Sequence, residues 1–121
     1  MFDADTIAQM DSLGAKSGRD VRGKVWALFQ VKAPEALDAL NALLVSNADH
    51  GDIAKQAHAL KSMAHSAGAK RLAEVCHALE SRVQAQVPQA QIERMIIEIG
   101  ACLLETLQAM SVQHGGLRLA N

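Results

Sequence analysis

The chain has 121 residues, of which 12 are Lys or Arg and 13 are Asp or Glu, for a formal net charge of −1. It is 50% hydrophobic but only 2% aromatic, with Trp26, Phe2 and Phe29 and no tyrosine. One domain with a single core is the expectation at this length. The balanced charge excludes the basic field of a nucleic-acid binder and an acidic solvating tail.

A core of aliphatics and alanine favours close-packed helices over a β-sandwich. Apolar runs such as GACLL fall far short of the ~20 residues of a membrane span, so no membrane association is expected. The N-terminus, MFDADTIAQMD, is acidic and lacks the basic-then-apolar order of a signal peptide. Cys76 and Cys102 are too few for a disulfide framework and lack metal-site spacing. They read as reduced, buried thiols of a cytoplasmic protein.

The first predicted element is a short helix from about Asp3 to Leu13, ended by the glycine-containing break GAKSGRD. Asp20 is placed to cap a second helix, from about Asp20 to Val45. Its apolar stripe is Val21, Val25, Leu28, Phe29, Leu37, Leu40 and Leu44. Pro34 lies inside it and is expected to kink or split it, because proline removes a backbone donor. The polar stretch SNADHGD follows, with Asn47 or Asp49 as the next cap.

A third helix is predicted from about His50 to Ala67, with Ile53, Ala57, Leu60, Ala64 and Ala67 on one side. Gly68 suits the left-handed conformation that ends a helix. The fourth helix starts near Ala69 and turns Leu72, Val75, Cys76, Leu79 and Val83 inward. Pro88 suits the first turn of a fifth helix, which carries Ile92, Met95, Ile96, Ile99, Leu103, Leu107 and Met110. Residues 113–121, closing with HGGLRLAN, read as a frayed tail. Short connections between long amphipathic helices predict an all-α fold: an antiparallel up-down-up-down four-helix bundle with an additional N-terminal helix, forming one domain over 1–121.

The third helix holds the chemistry. At about 100° per residue, His58 points roughly 150° away from the direction of Leu60 and Ala64. Lys61, Ser62 and His65 share its outer surface, with Ala54 a turn earlier. A neutral imidazole is a good nucleophile near neutral pH, and histidine is an established covalent catalyst. A lysine at i+3 reaches an anionic group carried by that imidazole. No carboxylate is spaced to serve as the imidazole's base, and no glycine loop cradles a nucleotide. The pattern suits a group that receives a phosphoryl from one protein and hands it to another.

The stretch HALKSMAHSAGAKRLAEVCHALE, residues 58–80, resembles the signature of histidine-containing phosphotransfer (HPt) domains of multistep phosphorelays. Its carriers are His58, Lys61, Ser62, Ala64, Gly68, Ala69, Leu72, Leu79 and Glu80. The flanking helices, including LFQVKAPEALDAL with its internal proline, extend the resemblance over nearly the whole chain. The resemblance implies that His58 is the phosphoacceptor and that Lys61 stabilises the phosphohistidine. It implies response-regulator receiver domains as partners, together with a hybrid sensor histidine kinase. The receiver is expected to supply an acidic pocket and a divalent metal. The chain itself is expected to bind no cofactor, to have no kinase activity of its own and to act as a monomer.

Ser62 departs from the glycine usual after the lysine, and His65 is bulkier than expected one turn on, where its protonated form would add positive charge. Ala54, Lys55, Ser62, His65 and Glu80 are the expected partner-binding rim. His58 and His65 are seven residues apart, about 10 Å along a helix axis, which is poor for one metal ion. The competing function is a four-helix adaptor that binds signalling partners without being phosphorylated.

Overall fold

The computed structural model describes residues 2–113. The described residues form five helices: α1 (Ala4–Ser17), α2 (Val21–Val45), α3 (His50–Ala67), α4 (Lys70–Gln84) and α5 (Gln89–Gln113). Helices α2 to α5 pack in a closed ring, α2 on α3, α3 on α4, α4 on α5 and α5 back on α2. Their short connections make successive helices antiparallel. α1 lies across α2 and α3. This is the expected all-α bundle. Of the predicted tail, only Gln113 falls within the described residues, where it ends α5.

Local chemistry explains most boundaries. The Asp3 carboxylate accepts from Asp5 N (3.2 Å) and from Thr6 Oγ1 (2.9 Å), starting α1. Asp20 caps α2 by accepting from Gly23 N at 2.9 Å. α1 runs past its predicted end at Leu13 because Gly14 is not its terminator. A Cβ at Gly14 would stand 2.7 Å from the Arg19 carbonyl oxygen, so this glycine permits a close approach of the following turn. Asp49 occupies the cap position of α3, but its side chain makes no capping bond. Its carbonyl accepts from Asp52 N at 3.0 Å. Pro88 lies just before α5, and its carbonyl accepts from Gln91 N and Ile92 N.

α2 continues through Pro34 and is not split. Trp26 and Phe29 before the proline, and Ala36 and Leu40 after it, are all buried in the same core. That packing holds both halves against one surface and outweighs a single missing backbone bond. Leu28 is the exception to the predicted stripe, at 60% exposed. All five predicted residues of α3 are buried, as are Leu72, Cys76, Leu79 and Val83 of α4.

α5 is, by length and apolarity alone, long enough to cross a membrane, with a mean hydropathy of 1.5 over its best window. Packing accounts for part of that composition: 33% of the window is buried, while Ile97, Leu104 and Val112 of the same helix are exposed. Ile92, Ile96, Ile99, Cys102, Leu103 and Met110 are buried in the bundle, and Thr106 Oγ1 donates to the Cys102 carbonyl at 2.8 Å. Cys76 and Cys102 are both free and buried, and burial pushes the Cys76 thiol up to about 12.

Gln86, just past α4, sits at φ 59°, where a side chain is strained. Gln86→Gly is expected to raise stability by about 0.5–1 kcal/mol. Urea denaturation of the two proteins checks this, and a less stable variant would mean that the glutamine side chain contributes more than its backbone costs.

Candidate functional site

Helices α3 and α4 form a hairpin whose turn is Gly68 and Ala69. Gly68 takes φ 77°, and its amide bonds to the His65 carbonyl at 3.1 Å. In an antiparallel helix pair, residues equally far from the turn stand level with one another. His58 and Glu80 are equally far from Ala69, and so are Lys61 and His77. The tight turn therefore sets Glu80 against His58 and His77 against Lys61.

The contacts follow. His58 Nδ1 is 3.0 Å from Glu80 Oε2. Lys61 Nζ donates to the other carboxylate oxygen, Glu80 Oε1, at 2.7 Å. The same ammonium lies 3.5 Å from His77 Nδ1, and His77 Nδ1 is 4.0 Å from Glu80 Oε1. The imidazole of His58 is 59% exposed, whereas the side chains of Lys61 and Glu80 are only 18% and 17% exposed. A largely covered ion pair thus supports an open ring.

Glu80 stays ionised. The Lys61 hydrogen bond first, then that of His58, holds its carboxyl below the usual carboxylate value despite partial burial. A carboxylate only accepts hydrogen bonds, so the proton of neutral His58 sits on Nδ1. Nε2 is left with its lone pair on the exposed ring. The arrangement is an oriented, exposed imidazole with a cation one turn along its helix, a geometry in which the ring could act as a nucleophile. The sequence pattern had suggested no carboxylate for this imidazole; Glu80 comes from the neighbouring helix.

Residues 24–112 match a family model described as the Hpt domain. The chain belongs to the Hpt domain family. No curated protein and no solved structure matches the chain. Hpt domains serve phosphotransfer in phosphorelays and are phosphocarriers rather than enzymes. The match begins within α2, so α1 lies outside the Hpt family model.

Two concavities flank the central row of this Hpt domain. Ala54, Lys55, His58, Glu80 and Gln84 line a cleft of about 540 Å³ toward α4. On the α2 side, Ser62 borders a largely apolar groove of about 380 Å³ with Val25, Leu28, Phe29 and Met63. Exposed Leu28 lines that groove. Lys55 and Ser62 are exposed and Ala54 is half-buried. Glu80, expected at the rim, lies inside the cluster. His65 stands apart, beside Asp3, Gly68, Lys70 and Glu74 in a separate cleft. His77, which the sequence pattern did not single out, takes the place next to Lys61. Among the described residues, no group of three or more His, Cys, Asp or Glu side chains is placed to hold a metal ion.

The Glu80 interactions have a pH signature. Its folded carboxyl lies below the ordinary value of 4.5, so its contribution to stability is fully present above that value. It is lost as pH falls through the folded value. The wild type is therefore expected to lose more stability than Glu80→Gln between pH 7 and pH 3. Urea denaturation at both pH values reads this directly, and equal losses would mean that the carboxylate adds no net stability.

Proposed function

We propose that the chain is a cytoplasmic, monomeric phosphorelay intermediate that takes a phosphoryl group on His58 Nε2 from a receiver phosphoaspartate and passes it to a second receiver. The observation that carries this reading is the 3.0 Å contact between His58 Nδ1 and Glu80 on an exposed ring. It leaves Nε2 as the nucleophile.

Nε2 attacks phosphorus, the Nε2–P bond forms and the acyl phosphate P–O bond breaks. The electron pair of that bond returns to the receiver's aspartate as carboxylate. The ring keeps its Nδ1 proton and carries positive charge, which Glu80 opposes at close range. Lys61 offsets the charge of the phosphoryl oxygens. Because the same groups serve both directions, the second receiver's aspartate takes the phosphoryl by the reverse steps. The receiver contributes the divalent metal and its acidic pocket. Its docking face is the exposed row of α3, with Lys55 and Ser62 beside the ring and the apolar groove at Val25 and Leu28. A small Ser62 leaves room for the approach. His65 marks the far edge of that face, near the α3–α4 turn.

The test is transfer from receivers carrying labelled phosphoaspartate. Acid-labile, base-stable label on this chain is the expected result. Absence of label from a panel of receivers, in protein shown to be folded, would overturn the proposal in favour of an adaptor that binds without being phosphorylated.

A further inference from the structure

The cleft beside His58 runs away from Lys61. Ala54, Lys55, His58 and Glu80 line it, with Asp49 and His50 at its far end, and Lys61 lies outside that lining. Side chains on a helix lean toward its N-terminus, so the His58 ring lies over the turn that carries Ala54 and Lys55. Lys55 stands three residues before His58, which makes the two neighbours on the helix surface, with Cβ atoms about 5–6 Å apart. Lys55 is exposed. Among the described residues, no hydrogen bond or ion pair joins it to another side chain.

The charges of the phosphorylated site do not balance without it. A ring that carries the phosphoryl group on Nε2 and keeps its Nδ1 proton is a cation, and Glu80 faces it at 3.0 Å. Lys61 holds the other oxygen of the same carboxylate at 2.7 Å, with its side chain only 18% exposed. Glu80 thus engages both cations, and together they exceed it by one charge. The phosphoryl oxygens bring up to about two negative charges, so about one is left over on the open side of the ring. A lysine ammonium is a mobile point charge with three donors, and Lys55 is the lysine that shares the cleft with His58.

Resting on the phosphoacceptor role of His58, we infer that Lys55 is a phosphoryl-binding residue: its ammonium takes the phosphoryl oxygens on the open side of the ring while Lys61 keeps its bond to Glu80. Lys61 then offsets phosphoryl charge from a fixed place, and Lys55 does so by direct contact. From α4 the cleft receives Glu80, already matched by Lys61, and the uncharged Val83 and Gln84. On α3, Asp52 stands three residues before Lys55. Asp49 and His50 lie eight or nine residues before His58, roughly 12–14 Å away along the axis. Contact with Lys55 stabilises the phosphorylated carrier, and so favours phosphate on His58 over phosphate on the receiver.

The experiment loads His58 with phosphoramidate, a small phosphoryl donor that needs no docking. The phosphorus resonance is then followed from about pH 5 to 9, across the ordinary second ionisation of a phosphoryl group. A neighbouring cation favours the dianion, so its loss raises the midpoint. Lys55→Gln is expected to raise it by about half a unit, and Lys55→Arg to keep it in place. Lys32 lies with Ser62 in the groove on the other flank, and Lys32→Gln is expected to leave the midpoint unmoved. In parallel, the equilibrium between receiver phosphoaspartate and phosphorylated His58 is expected to shift about threefold toward the receiver in Lys55→Gln. An unchanged midpoint in Lys55→Gln, or an equal rise in Lys32→Gln, would overturn this inference and leave the carrier role standing. Slower transfer from the receiver with an unmoved midpoint would make Lys55 a docking residue only, and would overturn it too. Label from phosphoramidate but from no receiver would overturn the carrier role, with the midpoint still deciding the Lys55 contact. Failure of His58 to take label from either donor would overturn both.

Discussion

His58→Gln protein is expected to take no phosphoryl group from any receiver phosphoaspartate and to unfold at nearly the same temperature as the parent. Glutamine matches the imidazole in reach, and its amide donates to Glu80 Oε2 as Nδ1–H does. Its nitrogen lone pair is delocalised into the carbonyl, so it is no nucleophile. The side chain replaced is 59% exposed, and exposed substitutions stay within about 0.5 kcal/mol. A total loss of transfer with a preserved fold separates chemistry from structure. Label quantified after acid and base treatment, beside a thermal melt followed by circular dichroism, decides it. Label that persists on the variant would place the acceptor elsewhere, and His65 is the next histidine to replace.

The largest effect on stability is expected from Trp26→Ala. Trp26 has no exposed surface. Its indole Nε1 donates to the Ala67 carbonyl at 2.8 Å, at the last residue of α3. Phe2 stacks on it at 4.9 Å, and the Arg22 guanidinium lies 5.4 Å from its centroid. Arg22 in turn is paired with Asp11 of α1 at 2.6 Å. Asp3 N donates to the Gly68 carbonyl at 2.8 Å, closing the N-terminal segment over the same turn. One side chain thus joins the N-terminal segment at Phe2, α2 and the end of α3.

Truncating such a residue costs about 3–5 kcal/mol, out of a total of roughly 5–15 kcal/mol for a domain. The orphaned carbonyl of Ala67 adds to the cost of the cavity. Urea denaturation by circular dichroism measures it, since the variant has no tryptophan left to fluoresce. A loss under about 1 kcal/mol would show that the N-terminal segment and turn hold their places without this anchor. Because the turn sets the level of Glu80 against His58, transfer is expected to slow in Trp26→Ala even under conditions where the protein is folded.

Much of this was legible in the residues themselves. The period of Ile53, Ala57, Leu60, Ala64 and Ala67 determined α3, its buried side and hence the outward direction of His58, because a helix maps spacing onto direction. Asp20 and Gly68 marked boundaries through their own side-chain and backbone chemistry. Tertiary packing decided the rest. It carried α2 through Pro34, left Leu28 beside a groove and ran α1 past Gly14, since each depends on what lies opposite. It also paired Glu80 with His58 and His77 with Lys61, from positions on a different helix. Equal distance from the Gly68–Ala69 turn was the one trace of that pairing in the sequence. It becomes a contact only when α3 and α4 close into a hairpin, and side-chain chemistry across two helices is a property of that closure.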